Sequence, residues 1–246
     1  MFNQSLPTYI HNFETDKRWK NFSSEHYVFH YFTNSEAEKD LKKIVQKQEK
    51  AYKKIIEFLD VPDPKKPIEY FFYPDKETKK SLMGDDWYAQ SIYNEFRIHV
   101  LYTKDDKPLG EHEDTHLLSL PWGLSAGFFQ EGLAEFMVEH AWDGVSHLEY
   151  AKKGYAENIF SSISDLMNHE VWINSSEKKM IYWYSLAGAF TSFLINKFGK
   201  EKFEKLYKET NRNKSKEENS AIFKSIYGWT LDIIENDFKK NYSKIY

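Results

Sequence analysis

The segment His112-Glu113-Asp114-Thr115-His116 places two imidazoles four residues apart, with a carboxylate beside the first. On an α-helix, residues four apart stand one turn apart on one face, so both rings can reach a single ion. Two histidines at that spacing suit zinc, and Glu113 leans toward the remaining coordination position, where it can take a proton from a water. Pro108 and Gly110 open the segment and Leu117, Leu118 and Leu120 flank it with apolar surface, which is a helical context. The plainer reading is a pair of packed or exposed histidines on a helix that binds no metal.

A second carboxylate-bearing segment follows, Phe128-Phe129-Gln130-Glu131-Gly132-Leu133-Ala134-Glu135-Phe136. Phe129, Leu133, Phe136, Met137 and His140 form a helical inner face, and Glu131 and Glu135 lie on a second stripe. Hydrolytic zinc needs a third protein ligand and an open fourth position, and a carboxylate at the start of the next helix can supply the former. Glu131 is the first candidate, with Glu135 one turn on and Glu139 behind it. Pro121, Gly123 and Gly127 let the second helix fold back beside the first. The chain has no cysteine, so any metal rests on His, Asp or Glu and no thiolate nucleophile exists. His140, His147 and His169 read as packed or exposed rather than as ligands, and His99 either lines the cleft or faces outward from a strand.

These residues must be positioned by elements that the periodicity outlines. His26 to Thr33, Pro67 to Tyr73 and Phe96 to Tyr102 are rich in aromatic and branched residues and read as strands. Between the first two, Leu41, Ile44, Val45, Tyr52, Ile55, Ile56 and Leu59 keep helical spacing from Ser35 to Leu59. After Leu109 the pattern is helical. Leu186, Ala187, Phe190 and Leu194 mark one helix; Phe203, Leu206 and Tyr207 mark the next after a break at Gly199. Ile222, Phe223 and Ile226 lead to a stop at Gly228, and Leu231, Ile234, Phe238 and Tyr242 form a terminal amphipathic helix. Arg212 to Ser220 is polar and reads as an exposed connection or a fraying helix start. The expected fold is α+β: a small sheet lobe with a helix over 1–108, then a mainly helical lobe over 109–246. The metal site sits on two helices at the cleft between them, in one compact catalytic unit.

Hydrophobic residues make up 41% of the 246 and charged residues 29%, a composition that can fold around a core. The 34 basic against 38 acidic side chains give a net charge of −4, and there are just three arginines, Arg18, Arg97 and Arg212. That balance argues against a nucleic-acid partner. Met180 to Asn196 is uncharged but carries Ser185, Gly188, Thr191 and Ser192, so it reads as a buried helix rather than a membrane span. The first twenty residues lack a basic start and apolar core, so they do not read as a secretion signal. Location stays open between the cytoplasm and export with a leader outside this sequence.

With both motifs in view, the sequence resembles the gluzincin metallopeptidases, in particular the small bacterial peptidase-MA-like domains. The resemblance rests on HEDTH (His112 to His116) and QEGLAEF (Gln130 to Phe136). It implies one Zn2+ per chain held by His112, His116 and Glu131, with Glu113 as general base. Glu135 would support a ligand histidine. It further implies that Phe96 to Tyr102 is the edge strand along which a peptide or protein substrate lies. Tyr184, in Tyr184-Ser185-Leu186-Ala187-Gly188, would donate to the oxyanion, with Tyr182 as its rival. The gap from His116 to Glu131 is shorter than in the thermolysin and aminopeptidase branches. No G-x-M-E-N segment is present, so the resemblance carries no exopeptidase assignment. The expected activity is therefore peptide-bond hydrolysis. The alternative is a zinc-stabilised domain that binds peptides or proteins without cleaving them.

Overall fold

The computed structural model describes residues 17–241 and is α+β. Two compact units part after Leu118. The strands all lie in the first, where β1 (Trp19–Ser23), β2 (Tyr27–Phe32), β3 (Ile68–Tyr73), β4 (Ala89–Ile92) and β5 (Arg97–Leu101) form one five-stranded sheet in the order β1-β2-β3-β5-β4. β2, β3 and β5 run parallel, while β1 and β4 are antiparallel additions at the two sides.

Parallel neighbours need a crossover, and α1 (Glu36–Leu59) supplies it between β2 and β3. Ser35 caps α1 by accepting from the Glu38 N–H, and the helix stops at Asp60 in a left-handed conformation. Its buried Ile44, Gln48, Tyr52 and Ile55 cover the sheet face built from Tyr27, Phe29, Tyr70, Phe72, Ile98 and Val100. The helix α3 (Glu111–Leu118) packs against α1 and β4 on that same side. On the opposite face α2 (Lys76–Met83) brings Leu82 and Met83 against Phe32, Phe71 and Tyr73, with Trp19 at the margin.

The three strands expected from the sequence are present as β2, β3 and β5, joined by β1 and β4, which the sequence did not reveal. One expectation is corrected. Phe96 to Tyr102 is not an edge strand, because β5 is paired with β3 on one side and β4 on the other. Among the described residues, β4 is the edge on that side of the sheet and β1 the edge on the other. His99 is buried on the α2 face, stacked on Phe71 and bonded through Nδ1 to the Tyr73 hydroxyl at 2.9 Å.

The second unit is helical: α4 (Gly127–Val138), α5 (His147–Ala156), α6 (His169–Ser176), α7 (Met180–Phe198), α8 (Lys200–Glu209), α9 (Lys216–Tyr227) and α10 (Leu231–Asn241). Its centre is the contact between α4 and α7, drawn close by glycine. A Cβ on Gly132 would fall 2.3 Å from Thr191 Oγ1 and 2.8 Å from the Ala187 carbonyl oxygen, and one on Gly188 2.7 Å from Glu135 Cβ. The breaks at Gly199 and Gly228 fall as expected, at positive φ. Arg212 to Ser220 proves more ordered than a simple exposed connection. A Ser215–Glu218 capping box starts α9, and buried Asn219 donates to the carbonyls of Met167 and Asn211. Tyr242 lies outside the described residues. Among those residues no helix is long and apolar enough to cross a membrane.

Candidate metal centre

The first turn of α3 is fixed from α1 before any histidine is reached. Gly110, at φ 127°, turns the chain into the helix; its N–H donates to Gln48 Oε1 at 2.8 Å and its carbonyl accepts from Gln48 Nε2 at 3.3 Å. Asp114 is fully buried and faces the sheet. Its Oδ2 accepts from the Tyr27 hydroxyl at 2.5 Å and from Gln48 Nε2 at 3.0 Å. Burial pushes the Asp114 carboxyl well above its ordinary range, with those two hydrogen bonds working against the shift. Tyr27, Gln48 and Asp114 thus lock α3 in rotation and height.

With Asp114 turned inward, His112 and His116 share another face. Their rings stand nearly perpendicular and their Nε2 atoms are 3.3 Å apart. Two Zn–N bonds of about 2.0–2.1 Å at the tetrahedral angle require about 3.3–3.4 Å between the nitrogens. The imidazole pair has the separation that one such ion imposes.

Glu113, between them in sequence, is half-buried and engaged by β4. Ser91 Oγ lies 2.6 Å from Glu113 Oε2 and 3.0 Å from the Glu113 carbonyl oxygen, so one hydroxyl holds the carboxylate and its own turn of helix. Tyr93 sets its ring edge-on to that of His116. Sequence reasoning missed Ser91, Gln48 and Tyr27.

In the second unit, Glu131 is half-buried in the second turn of α4. Glu135, one turn later, is buried. Its carboxylate lies 3.2 Å from His147 Nε2, which is also 3.0 Å from the Glu135 carbonyl oxygen; His147 Nδ1 meets Ser185 Oγ at 3.2 Å. Glu135 is therefore anchored to α5 and α7 through His147, which the sequence leaves between packed and exposed and which the structure buries. His140 does not continue the inner face of α4. The helix ends at Glu139 in a left-handed conformation, and His140 is exposed in a bridge to Ser146. The helix is also buried on most sides, Phe128 included, rather than along one stripe.

Tyr182 and Tyr184, both on α7, part company. The Tyr184 ring stacks on Trp172 of α6, whereas Tyr182 meets Tyr150 of α5 edge-on. No protein-family model matches the chain, and no curated protein matches it.

Proposed function

We propose that the protein is a zinc-dependent peptidase of the gluzincin kind, with His112, His116 and Glu131 as ligands and Glu113 as general base. The observation that carries this reading is the 3.3 Å separation of the two Nε2 atoms. Two imidazole nitrogens and a carboxylate oxygen are also the donor set of hydrolytic zinc.

When bound, zinc supplies the positive charge that polarises a scissile carbonyl and acidifies a water. Glu113 takes the proton of the attacking water and passes it to the leaving amine. Ser91 occupies Oε2, which leaves Oε1 for the proton. Tyr184 donates to the oxyanion. Glu135 stiffens the ligand-bearing helix through its bond to His147. The substrate is a peptide or protein segment lying extended along β4, the free edge of the sheet beside α3. A zinc-stabilised domain that only binds peptides would need no base, and a carboxylate held in place by Ser91 favours hydrolysis.

The test pairs elemental analysis with casein hydrolysis for the wild type and Glu113→Gln. Zinc near one per chain in both, with cleavage by the wild type alone, is the expected result. Zinc in both without cleavage by either would favour the binding domain, and absence of zinc from both would overturn the site.

A further inference from the structure

Lys79 is a lysine with its side chain fully hidden, 0% exposed, on the α2 face of the sheet. Its ammonium lies 2.5 Å from Asp85 Oδ1. Desolvating an ammonium costs several kcal/mol that one carboxylate rarely repays in full, so an apolar side chain would stabilise this position at least as well. Burial indeed holds the Lys79 pKa below its ordinary value, with Asp85 opposing the shift.

The partner shows what the ion pair organises. Asp85 sits in the turn between α2 and β4, and its carboxylate serves two further groups. Oδ1 accepts from the Trp87 N–H at 3.1 Å, and Oδ2 accepts from Gln90 Nε2 at 3.0 Å. Both donors belong to the approach to β4 or to β4 itself. Among the described residues β4 has one neighbour, β5, so the ladder bonds described restrain it from one side. Successive side chains alternate across a strand, so Gln90 points to the α2 face and Ser91 to the α3 face. Adjacent residues carry the grip of Asp85 on the strand, at Gln90, and the grip of the strand on Glu113, at Ser91.

We propose that Lys79 and Asp85 form a clamp that sets the height of β4 and, through Ser91, positions the Glu113 carboxylate. Lys79 is a positioning residue, since it touches neither substrate nor base. The proposal rests on the peptidase reading for its kinetic consequence and stands apart from it for its structural one.

Two measurements on the full chain test it. In hydrogen–deuterium exchange, Lys79→Met should raise exchange about tenfold or more across 85–92 while leaving 68–73 and 36–59 unchanged. Unchanged exchange at 85–92, or an equal rise throughout the first unit, overturns the clamp whether or not the protein cleaves anything. In casein hydrolysis, Lys79→Met and Ser91→Ala should each lower kcat about tenfold with KM and zinc content held. The double variant should be no worse than Ser91→Ala alone, because both act on one carboxylate. Multiplied losses in the double variant would overturn action through Ser91. A wild type that cleaves nothing would sink the peptidase reading and leave the exchange result to decide the clamp. Met matches the length of the lysine stem, and Asp85 keeps 24% of its side chain exposed, so Lys79→Met leaves no fully buried unpaired charge.

Discussion

The Tyr27 hydroxyl and the Asp114 carboxylate meet at 2.5 Å across 87 residues of chain, joining the first residue of β2 to the middle of α3. Gln48 completes the contact from α1 at 3.0 Å. Asp114→Ala removes an acceptor and leaves one buried N–H of Gln48 unpaired, while the Tyr27 hydroxyl keeps the Gln48 carbonyl at 3.1 Å, a loss of about 2–3 kcal/mol. Tyr27→Phe should cost less, about 1–2 kcal/mol, because Gln48 still serves the carboxylate. Urea unfolding monitored by tryptophan fluorescence gives both values, and equal costs would show that Gln48 does not share the load.

His116→Ala should abolish both zinc binding and hydrolysis while the helix persists, since Asp114 and Gln48 hold α3 independently of the imidazoles. A variant that retained stoichiometric zinc would remove His116 from the ligand set. Circular dichroism beside elemental analysis separates a lost ligand from a lost helix.

Gly132→Ala and Gly188→Ala should each destabilise the second unit by about 1–3 kcal/mol through overpacking. Gly132 is the more severe, because the added methyl meets the Ala187 backbone carbonyl, which cannot rotate away. For Gly188 the obstacle is the Glu135 Cβ, whose helix can shift slightly. Thermal unfolding should rank them in that order.

His169 gives stability a dependence on mild acid. Burial, then the nearby Arg212, lowers its pKa below the ordinary 6.5, while Glu170 pulls the other way. Between the folded value and 6.5 the unfolded chain binds more protons, so stability falls as pH drops from 6.5. His30 is lowered too, chiefly by burial, and adds to the same slope. His169→Gln should flatten the curve of unfolding free energy between pH 6.5 and 5 without removing it. An unchanged slope would exonerate His169.

Much of this is legible in the amino-acid sequence. The spacing of Leu41 through Leu59 marks α1, the aromatic and branched runs mark β2 and β3, the alternation of Phe96, Ile98, Val100 and Tyr102 marks β5, and Gly199 and Gly228 mark real breaks. The histidine pair was visible because helical spacing alone brings residues four apart together. β1 and β4 were not visible. Trp-Lys-Asn-Phe-Ser and Ala-Gln-Ser-Ile carry too few alternating apolar residues to announce a strand, and their pairing comes from neighbours. The family resemblance makes Phe96 to Tyr102 an edge strand, and without a signal for β4 nothing in the sequence corrects that or points to Ser91. The Tyr27–Gln48–Asp114 lock joins three segments far apart in the chain, and no local pattern encodes such a contact.

The shortness of β4 also limits edge pairing between copies of this chain. An open strand is a template for any extended backbone, including the matching strand of a second molecule. β4 offers four residues, Ala89 to Ile92, and Asp85 and Asp86 stand just ahead of it. Two such edges brought together would form few hydrogen bonds and set acidic residues near acidic residues. Edge-to-edge pairing between copies is therefore disfavoured at β4.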